Sequence, residues 1–183
     1  PSQTICQGTT AYMTAVNGVH YLWNTGDTTA NLAVTPMVGS HTYTVTITGA
    51  GGCSATASSV ITVNPKPTVT VSPQNPVNCS VNLPILTANG SNDVTQYSWN
   101  TGATISQITA NTTGTYIVIV SNAYTCKDTA QTSVTINQSP SVMASAMPNV
   151  ICAGSGTILN ATGADTYTWQ PSNLSGATIS ISP

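Results

Sequence analysis

HTYTVTITGAGGC (41–53) and GTYIVIVSNAYTC (114–126) are one pattern written twice, 73 residues apart. Each copy alternates apolar and polar residues in the period-two rhythm of a half-buried strand, enters a turn of small residues and ends on a cysteine. In the first copy, turning Tyr43, Val45 and Ile47 inward leaves threonines facing out. In the second, turning Tyr116, Val118 and Val120 inward leaves Ile117 and Ile119 outward, a candidate contact surface. Working outward, TAQTSVTIN (129–137) follows as another strand, and TVTVS (68–72), SVNLPILTANG (80–90), QYSWN (96–100) and ATISQITA (103–110) precede it. Six short strands, or seven if one stretch merges two, with turn residues between them predict an all-β fold of β-sandwich modules.

The cysteines carry the same phase. Cys6, Cys79 and Cys152 are spaced by 73 residues, as are Cys53 and Cys126. Likewise YLWNTG (21–26) matches YSWNTG (97–102), and ICAGSGTILNATGADTYTW (151–169) opens a third copy. A fixed period of this length means a tandem array. The expected modules are residues 1–65, lacking a first strand, 66–138, complete, and 139–183, lacking its last strands. Out-of-register ends of this kind suggest a window on a longer polypeptide.

Composition narrows the function classes. Only six residues are charged, namely Asp27, Asp93, Asp128, Asp165, Lys66 and Lys127, and the net charge is −2. Nucleic-acid binding needs Lys and Arg to neutralise phosphates, so this chain is not built for it. No apolar run approaches the ~20 residues of a membrane-spanning helix. Catalysis needs converging titratable groups, and no carboxylate pair, nucleophile motif, metal-ligand cluster or cofactor loop is present, so no catalytic, cofactor or metal residue is assigned. The linkers NPKPT (64–68) and NQSPS (137–141) are short and proline-bearing, as semi-rigid spacers are.

Paired cysteines without CxxC spacing point to disulfides in an oxidising, extracellular setting rather than to zinc, which needs four clustered ligands. The expected bonds are Cys6–Cys53 and Cys79–Cys126, each tying the start of a strand to a distant hairpin and contributing roughly 4 kcal/mol through loop closure. Cys152 then has no partner in this chain. Trp23, Trp99 and Trp169 recur mid-strand with a tyrosine two positions earlier, a core position rather than a ligand platform. Tyr43 and Tyr116 each lie ten residues before a cysteine, where a tyrosine corner would cap backbone groups.

The string C-x-G, then Y-x-W-N-T-G, T-Y-x-V-x-V and G-C-S-A-T-A-x-x-x-V-T-V-N-P resembles the immunoglobulin-like and PKD-like tandem surface repeats of Bacteroidota. Those occur in adhesins, gliding-motility proteins and type IX secretion cargo. The resemblance implies secretion to the cell surface, with adhesive or filament-forming roles and partners that are copies of the same repeat or surface glycans. It also implies O-glycosylation at Asp-Thr sites, here Thr28 and Thr129, whereas Asp165-Thr166-Tyr167 departs from the pattern. Such arrays also serve as carbohydrate-binding or spacer modules on secreted hydrolases, which is the rival function. Sugars at Thr28 and Thr129 would guard strand edges that carry almost no charged gatekeepers.

Overall fold

The computed structural model describes residues 2–182, and all their regular structure is β. In chain order the strands are β1 (Gln3–Cys6), β2 (Ala11–Thr14), β3 (His20–Trp23), β4 (Asn31–Val34), β5 (Gly39–Thr48) and β6 (Ser54–Asn64). Next come β7 (Val69–Ser72), β8 (Val77–Cys79), β9 (Ile85–Gly90), β10 (Val94–Trp99), β11 (Gln107–Thr109), β12 (Gly114–Asn122) and β13 (Lys127–Asn137). The last are β14 (Met143–Met147), β15 (Thr157–Thr162), β16 (Thr168–Trp169), β17 (Leu174–Ser175) and β18 (Thr178–Ile181). The chain divides into two compact units, Pro1–Pro76 with Pro84–Thr135, and Val77–Leu83 with Ile136–Pro183.

In the first unit, residues before the linker form the sheets β1-β6-β5-β3 and β2-β4. Alternation turns one face of each strand inward, so Ala15, Trp23, Leu32 and Val45 meet in one buried cluster and Ala11, Ile61 and Val63 in another. After the linker, β10, β12 and β13 are neighbours in one sheet and β11, β9 and β7 in another. Here Val69, Val71, Leu86, Ala88, Trp99, Tyr116, Val118, Val120 and Val134 are all buried. Full burial of a Val- or Leu-sized side chain contributes about 1.5–3 kcal/mol, so the inward rows hold the sheets face to face. Within the second unit, β14-β15-β18 and β16-β17 form two smaller sheets. Gly163, at φ +95°, is required there: a Cβ would lie 1.9 Å from the Ser141 carbonyl oxygen.

Landmarks that recur along the chain make the same bonds. The N–H groups of Ala15, Ala88 and Ala161 donate to the carbonyls of Ala30, Ser106 and Ala177 at 2.8, 2.8 and 2.7 Å. The indole N–H groups of Trp23, Trp99 and Trp169 donate to the carbonyls of Thr29, Ile105 and Gly176, each at 2.9 Å. Trp23 and Trp99 are buried, whereas Trp169 is half-buried. Tyr116 forms the expected corner, its hydroxyl donating to the Thr112 carbonyl at 3.0 Å and accepting from the Thr112 N–H at 3.3 Å.

Three expectations are corrected. The stretch 80–90 is not one strand: β8 ends at Cys79, a turn follows, and β9 begins at Ile85. The stretch 103–110 keeps only β11 as a strand. Tyr43, expected in the core like Tyr116, is half-buried, because it lines an open groove between Met13–Val16 and the Ala57–Ser59 stretch of β6.

Candidate functional site

The two expected disulfides are not formed. Cys6 is bonded to Cys126, with Cα atoms 5.6 Å apart, while Cys53, Cys79 and Cys152 are free and exposed. Strand pairing explains the change. β1 runs parallel to β6 and sets Cys6 beside Asn64, the last residue of that strand. Cys53 precedes the first residue of β6, so at ~3.3 Å per residue it lies about 35 Å away along the strand, far beyond the ~7 Å Cα limit for a disulfide. The carboxyl end of β6 leads into the linker, and there Cys6 meets the hairpin between β12 and β13. The 120-residue separation of this bond is one intra-repeat cysteine spacing plus one full period. It therefore staples β1 to the β12–β13 hairpin within the first unit.

The staple sits in a joint built from polar groups on both sides of the linker. Gln7 N–H donates to the Asn64 carbonyl at 2.9 Å, fixing β1 against the linker entrance. Asn122, only 4% exposed, donates through Nδ2 to the Pro65 carbonyl and to Asp93 Oδ2, both at 3.0 Å. Its Oδ1 accepts the N–H groups of Tyr124 (3.1 Å) and Cys126 (3.2 Å), so one side chain positions the bonded cysteine and holds the linker. Lys66 Nζ lies 2.8 Å from Asp128 Oδ1, and Asp128 Oδ2 accepts the Val69 N–H at 3.1 Å. Thr68 and Ser91 exchange two bonds, Thr68 N–H to Ser91 Oγ at 3.0 Å and Ser91 N–H to the Thr68 carbonyl at 2.9 Å. Pro67 is fully buried. The linker is tied down on every side.

These contacts tune the carboxylates. The Asn122 amide, then the Ser91 hydroxyl, hold Asp93 below the usual carboxylate range. The hydrogen bond from Lys66 does the same for Asp128, against an opposing push from partial burial. Three of the six charged residues of the chain gather at this one joint. Among the described residues no three His, Cys, Asp or Glu side chains converge to hold a metal, and no helix is long and apolar enough to cross a membrane.

The other candidate residues lie apart. Thr28 is exposed in the turn after Trp23, where Asp27 Oδ1 accepts the Thr29 N–H at 2.8 Å and the Thr29 hydroxyl at 2.7 Å. Thr129 is exposed on β13, directly opposite Ile119. Ile119 is 42% exposed, whereas Ile117, opposite Gln131, is half-buried. Asn122, Asp93, Lys66 and Asp128 were missed from sequence because a repeat is read through matching positions. Asn122 stands where the first repeat has Gly49, Asp128 where it has Ala55, and Lys66 where the next linker has Ser139. The signal lay in these departures, since charge is scarce and clusters there.

No protein-family profile matches the chain, and no curated protein matches it either. Among solved structures, the chain is similar to the N-terminal four Ig domains of Dscam1 isoform 1.9, with 13% identity and a TM-score of 0.37 over 74% of this chain and 44% of that one. It is also similar to the N-terminal eight Ig domains of Down Syndrome Cell Adhesion Molecule isoform 1.30.30, with 13% identity and a TM-score of 0.35 over 99% of this chain and 36% of that one. This chain thus spans less than half the length of these structures. The all-β assignment rests on the sheet topology itself.

Proposed function

We propose that the chain is a non-enzymatic, extracellular array of immunoglobulin-like modules, residues 1–65, 66–138 and 139–183, serving in a surface adhesin or filament. The observation that carries this reading is the Cys6–Cys126 bond across the joint. A module that transmits tension or presents a surface at a distance gains from it, because a stapled, hydrogen-bonded linker resists bending and separation. Closing a loop of this length stabilises by roughly 5 kcal/mol in the chain-entropy model, and such bonds persist in oxidising surroundings.

The rival, carbohydrate-binding modules on a secreted hydrolase, calls for exposed aromatic platforms. Trp23 and Trp99 are buried with their N–H groups satisfied inside their own repeats, which favours the structural reading. Beads coated with the chain provide the test. Bead clustering, or retention on cells, that survives removal of surface polysaccharide supports the array reading. Retention on purified polysaccharide, with none between coated beads, overturns it in favour of the rival.

A further inference from the structure

The Cys6–Cys126 bond joins two sulfurs of unequal access. Cys126 is 1% exposed, so its sulfur presents almost no surface to an attacking molecule. Cys6 is half-buried and leads directly into the exposed residues Gln7, Gly8 and Thr9. The two backbones differ in the same sense. One residue holds Cys126 at both its polar groups: its N–H donates to Asn122 Oδ1 at 3.2 Å, and its carbonyl accepts the Asn122 N–H at 3.1 Å. The Thr125 N–H closes the same turn onto the Asn122 carbonyl at 3.0 Å. Asn122 is itself buried and anchored to Pro65 and Asp93. Cys6 instead ends β1, the outermost strand of its sheet, with β6 as its one neighbour. A four-residue edge strand that runs into a turn at Gly8 (φ +83°) opens locally before the rest of its sheet does.

We propose that Cys6 is an exchange site for small thiols of the cysteine or glutathione class, with Cys126 as its held resolving partner. Exchange depends on which sulfur a thiolate can reach. Burial closes the approach to Cys126, so attack falls on Cys6. The small thiolate bonds to Cys6 Sγ, the Cys6–Cys126 bond breaks, and its electron pair leaves on Cys126 Sγ, which takes up a proton. The products are a mixed disulfide at Cys6 and a thiol at Cys126. Asn122 keeps that thiol in place. Once the free small thiol is withdrawn, Cys126 attacks the mixed disulfide, expels the small thiol and restores the staple. Modification therefore loosens the joint at β1 alone, while Asn122, Lys66 and Asp128 still hold the linker. The inference goes beyond the adhesive reading. It rests on the unequal burial of two bonded cysteines, so an outcome against it leaves the bond, and that reading, in place.

The test uses the full, oxidised chain. Iodoacetamide first caps the exposed thiols of Cys53, Cys79 and Cys152. Reduced glutathione is then added at about pH 8, close to the pKa of a free thiol. Samples taken at early times are quenched with N-ethylmaleimide, digested without reductant and mapped by mass spectrometry. Glutathione should sit on Cys6 and maleimide on Cys126, in at least about tenfold excess over the reverse pattern. In the urea-unfolded chain neither sulfur is shielded, and the excess should fall to within about twofold. Withdrawing glutathione before the quench should restore the Cys6–Cys126 bond and clear Cys6 of glutathione. Four results would each overturn the proposal: glutathione on Cys126 as much as on Cys6 in the folded chain, the same excess on Cys6 in urea, a mixed disulfide that persists after glutathione is withdrawn, or a bond that reacts only when the chain is unfolded.

Discussion

The Trp99 indole, buried on β10 opposite Val118 and donating to the Ile105 carbonyl at 2.9 Å, combines a large apolar payload with a satisfied polar tip. Trp99→Ala should destabilise the first unit by about 3–5 kcal/mol, and Trp99→Phe by far less, since it keeps most of the ring and loses one hydrogen bond worth about 1 kcal/mol. Denaturant melts of the two variants check the order. The outward Ile119 poses the opposite problem, an exposed β-branched residue on a surface almost free of charge. Thr129 faces it across the β12–β13 pair, so a sugar on that hydroxyl would lie over the isoleucine. Glycopeptide mass spectrometry of native material is expected to find carbohydrate on Thr129 and Thr28. Bare threonines at both sites would remove the edge-guard reading and leave Ile119 to a protein neighbour.

Pairing of strands, which no single residue announces, decided the cysteine chemistry. Alternation identified β5, β12 and β13 because it is local: each inward residue is two from the next. The same was true of the tryptophan strands. Short parallel pairing was not legible, since QTIC at 3–6 carries no sign that it lies along the far end of β6. Without that register, a period of 73 allows a cysteine to bond within its repeat or one repeat onward, and loop-closure entropy favours neither decisively. Cys6→Ser should therefore lower the stability of the first unit by up to about 5 kcal/mol and leave Cys126 as a free thiol. Cys53→Ser, at an exposed free cysteine, should stay within about 0.5 kcal/mol of the parent. A non-reducing peptide map that joins the Cys6 and Cys53 peptides would contradict the joint described above.

At the scale of the chain, side-chain hydrogen bonds draw largely on hydroxyl and amide groups, and half of the charged residues gather at the joint. That concentration makes the joint sensitive to acid in a defined direction. Asp93 and Asp128 titrate below the ordinary carboxylate value because the folded joint donates to their ionised forms. A carboxylate depressed in this way stabilises fully above its unfolded pKa, about 3.9 for Asp, and that contribution is lost as pH falls through the lower, folded value. Melting of the oxidised chain should thus be nearly flat from neutrality to about pH 4 and decline below it. The disulfide does not titrate, but Asp27, held low by its bonds from Thr29 outside the joint, loses stability in acid as well, so the joint's share is the part removed by substituting Asp93 or Asp128. Lys66 and Asp128 keep contact with solvent, at 47% and 23% exposure, which limits their pair to about 1 kcal/mol and makes it weaken with added salt. Asp128→Asn should melt lower than the parent at neutral pH and show a shallower acid decline, the two curves converging as pH falls through the depressed folded value of Asp128. Parallel curves across that range would mean that Asp128 contributes nothing through its charge, and that Asn122 and the disulfide hold the joint without it.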